Sequence, residues 1–328
     1  MKRILVTGVT GQIGYYVAER LSQEGHQVFG LERQTTQGRP GGAPLPYEPV
    51  SGDLLDEYSL LSLIERVRPE ELYNFAAQSF IPASWNQPIL TAQYTGIGVI
   101  RLLEALRRVA PTCRFLQAGS SELFAGGTVS PQDETSPVVP RNPYGVAKAF
   151  AFHTVRMYRE QYGLHASNAI FYTNESPRRS ITFLFRKVTH GVASIVAGSK
   201  EPLLLGNLDA WRDWGYTPDF ADAAVRIVRH DHADDFMIAT GQAHTVRDLV
   251  EHAFELAGLD WRTHVIVDPR FVRPPEPMLL VGNPHKAATQ LGWRPTVGFR
   301  QIIRTLLEHD LAERGLKLEP HVRHVVQS

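Results

Sequence analysis

Cysteine is nearly absent from this chain: among 328 residues only Cys113 carries a thiol. One cysteine excludes an internal disulfide framework, and its setting "PTCRFLQA" marks it as a buried strand residue, not a nucleophile. Net charge is absent too. Lys plus Arg and Asp plus Glu each number 34, so no overall field recommends nucleic acid or an anionic membrane as partner. Nor is there a run approaching the roughly 18 apolar residues of a membrane span. The opening "MKRILVTGVTGQIG" holds too short an apolar stretch for a signal peptide. The expectation is a cytoplasmic protein whose partner is a small molecule.

What is present is alternation. Short apolar runs at 3–7, 27–31, 71–75, 113–118 and 165–171 are interleaved with amphipathic stretches at 12–24, 88–109 and 142–162. That pattern predicts βαβ units around a parallel sheet. The length exceeds what one core usually serves, roughly 250 to 300 residues. The chain therefore reads as an α/β protein: a Rossmann-type doubly wound sheet over 1–171, with some later segments returning to it, and a smaller α/β lobe over 172–328. In that lobe periodic segments stand apart at 182–198, 245–258 and 299–313.

"VTGVTGQIG" places Gly8, Gly11 and Gly14 between the first strand and first helix. Glycines there permit a tight turn and close approach of backbone to a pyrophosphate, which faces the helix N-terminus. Thr10, Gln12 and Ile13 lie inside this turn. The spacing is G-x-x-G-x-x-G, a variant of the usual dinucleotide fingerprint. The second strand ends with Glu32 beside Arg33. A carboxylate suits the free 2′-hydroxyl of NAD and an arginine the 2′-phosphate of NADP, so these residues leave the choice open. Asp53, followed by Leu54, is either an adenine contact or the N-cap of the next helix.

"NPYGVAKAF" sets Tyr144 and Lys148 four residues apart on a predicted helix, on one face. A nearby ammonium would lower the phenol's pKa toward that of a usable base. Ser120 ends the preceding strand. Strand alternation would put Glu122 on the same side, facing substrate, and a carboxylate there is needed only when a proton must also leave carbon. Its alternative is a simple cap or salt bridge at a strand end. The "HDHADD" stretch at 230–235 lacks a third ligand at motif spacing, so no metal is expected.

Glycine turn, serine, then Tyr-x-x-x-Lys is the chain order of short-chain dehydrogenase/reductases, and the added lobe resembles their nucleotide-sugar branch. Six separated blocks narrow the resemblance: "ELYNFAAQSFIPASWNQP", "QAGSSELF", "NPYGVAKAFA", "NESPRRSITFLFRKV", "LLGNLDAWRDWGYTPDF" and "KAATQLGWRP" are similar to the GDP-mannose 4,6-dehydratase family over nearly the whole chain. The resemblance implies a GDP-sugar substrate, GDP-mannose or a close hexose or heptose, and an NADP cofactor, with NAD admitted by Glu32. It further implies a homodimer or homotetramer. The reaction would be oxidation at C4, loss of water across C5 and C6, and return of the hydride to C6.

Carried over by position, the family's catalytic set is Ser120, Glu122, Tyr144 and Lys148. Ala76 and Ala77 join the cofactor site. The sugar nucleotide would meet Gln78, Ser79, Ser121 and Asn174, with Glu175, Arg179, Lys187 and Arg212 on GDP. Gly206, Asn207, Arg273 and Glu276 complete that set. The chain also departs from the pattern. Glu32 and Gln34 replace basic residues, Thr173–Asn174 stands for Asn–His, Ser180–Ile181 for Gly–Glu, and Thr95 for an acidic or amide residue. These changes point to a modified sugar or an altered cofactor preference. A 4-keto-sugar reductase, an epimerase and a non-catalytic dinucleotide sensor are the rival readings.

Overall fold

Strand β1, Arg3–Thr7, is apolar from Ile4 to Val6 and buried from Ile4 onward, as a strand covered on both faces must be. A computed structural model describes residues 1–33, 44–271 and 279–318. Around β1 lie β2 (Gln27–Glu32), β3 (Glu48–Ser51), β4 (Glu71–Asn74), β5 (Arg114–Ala118) and β6 (Ala166–Phe171). Together with Asp235–Ile238 they form one parallel seven-stranded sheet. Its spatial order runs from Asp235–Ile238 through β6, β5, β4 and β1 to β2 and β3. Strand order reverses between β1 and β4. Ligands of open α/β sheets bind in the crevice at the carboxyl ends of such a pair.

Two apolar layers cover the sheet. On one face, the helices Gln12–Gln23 and Thr217–Arg229 bury Val17, Leu21, Ala224 and Val228 against Val6, Tyr73 and Phe171. On the other, Glu57–Val67, Gly98–Val109 and Pro143–Tyr162 bury Leu60, Leu102, Leu106 and Val155. Cys113 is among them, and burial raises its thiol pKa well above the ordinary value, which keeps it protonated and inert.

The predicted helix over 88–109 is helical throughout but changes pitch. Pro88–Ala92 and Gly98–Val109 are α-helical, and Gln93–Ile97 between them is a π-turn. Such turns widen the helix by one residue and re-aim side chains. Here Gly96 also lets Ala147 and Phe150 of the neighbouring helix approach closely.

Later segments build a further core around Phe185, Trp214 and Phe299, whose rings stack or meet edge to face. The helices Leu184–Val196, Val246–Leu256 and Phe299–Ala312 enclose it. Arg186 and Asp310, both buried, pair across it at 2.6 Å, and Thr189 donates to the second carboxylate oxygen. Short strand pairs, Thr173–Glu175 with Trp214–Tyr216 above all, lie between this core and the sheet.

Candidate active site

The glycine turn follows β1 as its spacing requires. Gly8 has φ +64, in the left-handed region, and a Cβ there would stand 2.6 Å from the Ala76 nitrogen. A Cβ on Gly14 would lie 2.4 Å from the Gly8 carbonyl. The turn thus presses against the Phe75–Ala76 backbone after β4, at the sheet's switch point. Gly11 is the helix N-cap and has no side chain to close the first turn, and Thr10 and Gly11 are exposed. A glycine cradle at an uncapped N-terminus fits the diphosphate of a dinucleotide. Ile13 and Ala77 flank it, half-buried.

At the adenosine side, Glu32 accepts from the Tyr47 hydroxyl at 2.7 Å. Arg33 is exposed and lies over the Tyr94 ring, 5.4 Å from its centroid. Tyr94, in the π-turn, donates to Asp53 at 3.3 Å. Asp53 is not the helix cap, because Asp56 accepts from Tyr58 and Ser59 in that role. Asp53 instead bonds the Leu55 N–H and Tyr94, while Leu54 is buried under Gly98.

Past β5 the expected strand alternation fails, because Ser121–Phe124 coils into a 3₁₀ turn. Ser120 caps it, its Oγ accepting from the Glu122 N–H at 3.3 Å. The tight turn, not the strand, brings the hydroxyl and the carboxylate to one place. Both side chains act on Tyr144. Burial pushes the Tyr144 phenol up to about 12; a hydrogen bond with Ser120 draws it down, Glu122 raises it, and Arg179 lowers it. Lys148 stands beside that phenol, tied to the end of β5. Its buried Nζ donates to the Ala118 carbonyl at 2.6 Å and lies 5.7 Å from the Tyr144 ring centroid; burial lowers its pKa to about 8.

Sequence reasoning missed the groups that hold these residues. The Asn142 Oδ1 caps the Tyr144 helix through the Gly145 N–H at 2.8 Å, and its Nδ2 donates to the Glu122 Oε2 at 2.6 Å. Thr7, Asn74 and Gln117, all buried, form a chain of hydrogen bonds across β1, β4 and β5 that ends on the same Ala118 carbonyl. Asn in "NPY" is a visible cap signal. The buried polar residues gave none, since their meaning depends on which strands adjoin.

On the substrate side, Gln78 donates its backbone N–H to Thr95 at 3.2 Å, and its buried Oε1 has no hydrogen-bond partner among the described residues. Ser79 is exposed beside it, and Ser121 is half-buried in the turn. Glu175 is 1% exposed and lies 3.5 Å from Arg179. Burial pushes its carboxyl up to about 7, with Arg179 and Arg186 pulling the other way. The Arg179 guanidinium covers the Phe183 ring at 3.7 Å.

Lys187 sits 4.2 Å above Phe271, whose carbonyl would clash with any Cβ on Gly206. Arg212 binds its neighbour's carbonyl, that of Trp211, at 2.6 Å. Asn207 closes a local turn onto Asp209. The geometry therefore gathers Ser120, Glu122, Tyr144, Lys148 and Arg179; Lys187 and Gly206 form a separate group at Phe271. Gln34, Arg273 and Glu276 lie outside the described residues. No group of three or more His, Cys, Asp or Glu side chains among the described residues is arranged to hold a metal ion.

A family model for GDP-mannose 4,6 dehydratase matches residues 5–306. GDP-mannose 4,6 dehydratase 1 of Arabidopsis thaliana is 39% identical over 325 residues, covering 94% of this chain and 90% of its own. The GDP-mannose 4,6-dehydratase of Vibrio cholerae is 36% identical over 361 residues, covering 98% and 97%. Among solved structures, the UDP-glucose 4-epimerase of Thermus thermophilus, in complex with NAD, is 26% identical, with a TM-score of 0.82 over 94% of this chain and 98% of that one. The family model over nearly the whole chain and these relatives show that the chain belongs to the GDP-mannose 4,6-dehydratase family.

Proposed function

We propose that this chain removes water from a GDP-sugar, converting GDP-mannose or a close GDP-hexose or heptose to the 4-keto-6-deoxy sugar. The observation that carries the reading is Glu122, held by the same Asn142 side chain that caps the Tyr144 helix. A bound nicotinamide dinucleotide supplies hydride acceptance and return, so it ends unchanged. Ser120 bonds the reacting oxygen at C4 while Tyr144 takes the hydroxyl proton. A ketone at C4 acidifies the hydrogen on C5. Glu122 takes that proton and delivers it to the C6 hydroxyl, which leaves as water. Tyr144 then returns its own proton to C5.

Residues 1–171 serve the dinucleotide and 172–328 mainly the sugar nucleotide in this reading. Arg33 suits NADP, whereas Glu32 suits NAD. Glu175, Arg179, Lys187 and Arg212 are the GDP contacts. The helices Pro88–Ala92 and Pro143–Tyr162 leave Ile89, Val146, Phe150 and Met157 exposed, an apolar face suited to a homodimer. No helix among the described residues is long and apolar enough to cross a membrane. We place the enzyme in the cytoplasm.

The test is incubation with GDP-mannose without added reductant, read by mass spectrometry for loss of one water. Turnover of a GDP-heptose alone would move the substrate and keep the chemistry. Net consumption of reduced dinucleotide without water loss would identify a reductase instead.

A further inference from the structure

Gln12 lies inside the glycine turn, where a side chain would be expected to face bound phosphate. Its amide instead faces the second lobe. Nε2 donates to the Asn174 carbonyl at 2.8 Å and lies 3.2 Å from the Asn174 Oδ1. Oε1 accepts from the Ser176 hydroxyl at 2.8 Å and the Thr217 hydroxyl at 3.0 Å. A primary amide offers two donors and two acceptor positions, so this one is fully engaged. Its partners come from the strand Thr173–Glu175, the turn after it, and the first residue of the helix Thr217–Arg229.

The same turn is tied down once more along the helix Gln12–Gln23, where the Arg178 guanidinium lies 3.5 Å from the centre of the Tyr15 ring. The backbone then tightens, Arg179 N–H donating to the Ser176 carbonyl at 2.9 Å. This clamp sets where Arg179 emerges. Its Nε and the Glu175 Oε2 are buried without a hydrogen-bond partner among the described residues, although 3.5 Å apart. Buried polar atoms left so are costly unless a ligand completes them. The other groups acting on Tyr144 are Ser120 and Glu122 from the 3₁₀ turn, and the Lys148 Nζ of its own helix lies 5.7 Å from its ring centroid. Arg179 is the cation that the second lobe contributes.

We propose that Gln12 is a positioning residue: its amide fixes the segment Asn174–Arg179 across the glycine turn and so sets where the Arg179 guanidinium stands, beside Glu175 and over the Phe183 ring. The inference rests on Tyr144 being the base. It assigns Gln12 to alignment of the two lobes, not to retention of the dinucleotide.

Gln12→Leu removes the four amide contacts at similar size, and Ser176→Ala removes one from the other side without touching the turn. Two readouts are needed: the dinucleotide carried per purified chain, and the pH profile of kcat/KM for the GDP-sugar. With Arg179 released, the basic form of Tyr144 is harder to reach, so the rising limb should move up by about half to one pH unit in both variants. The kcat should fall about tenfold through lost alignment, with bound dinucleotide unchanged. An unmoved limb overturns the proposal. Loss of dinucleotide from Gln12→Leu, with Ser176→Ala like wild type, overturns it as well and makes Gln12 a cofactor ligand. If Gln12→Leu does not fold, the Ser176→Ala profile decides alone. Full turnover by Tyr144→Phe would show instead that the base was misassigned.

Discussion

Asn142 donates to Glu122 at 2.6 Å from the same side chain that caps the Tyr144 helix at 2.8 Å. One amide therefore fixes both the carboxylate and the helix that presents the phenol. Asn142→Ala should cost about 1 kcal/mol of stability through the lost cap. It should also lower kcat by about 10- to 100-fold, because a freed carboxylate leaves its reactive position. Thermal melting and steady-state kinetics measure the two effects separately. A stable variant with wild-type kcat would show that Glu122 needs no such support.

Glu122→Gln separates oxidation from elimination. Tyr144, Ser120 and Lys148 remain, so C4 oxidation should persist while water loss falls by about 10²- to 10⁴-fold. Reduced nicotinamide should then accumulate in a single turnover and absorb accordingly. Dehydration at the wild-type rate would remove Glu122 from the mechanism.

Glu175 predicts a pH-dependent contribution to stability. Its folded pKa, about 7, exceeds the unfolded value of about 4.3. The folded chain thus keeps a proton that the unfolded chain has lost. This contribution is complete below the unfolded value and disappears as pH rises through 7. In Glu175→Gln the neutral form persists at every pH. The melting temperature of wild type minus that of the variant should fall by a few degrees, about 3 to 6 °C, between pH 4 and 8. A constant difference would mean that Arg179 and Arg186 keep the carboxylate charged throughout.

Glu32 and Arg33 can be weighed against each other directly. Arg33→Ala should weaken NADP binding by about tenfold or more and spare NAD if the guanidinium grips a 2′-phosphate. Glu32→Gln should favour NADP, since it removes a negative charge from that side. Fluorescence titration with both reduced dinucleotides, alongside identification of what the purified protein carries, gives the answer. Equal affinities in every variant would place the ribose elsewhere.

The parallel sheet was legible because βαβ units write their periodicity into local sequence. Apolar runs marked the strands, and the "VTGVTGQIG" glycines marked the turn that a Cβ would block at Gly8 and Gly14. Tyr144 and Lys148 were legible for the same reason, since four residues on a helix fix a shared face. The juxtaposition of Ser120 with Glu122 was anticipated by the wrong rule: it comes from a 3₁₀ turn that the hydroxyl itself caps.

What the amino-acid order determined by itself was therefore local: periods, caps, glycine conformations and the neutral charge balance, each set by forces acting within a few residues. The tertiary structure decided what required distant segments to meet. It placed Asn174, Ser176 and Thr217 on Gln12, brought the charge of Arg179 to bear on Tyr144, and tied Lys148 to the Ala118 carbonyl. These contacts join residues up to 205 positions apart. Their geometry follows from how two cores settle against one sheet, and no local preference encodes that.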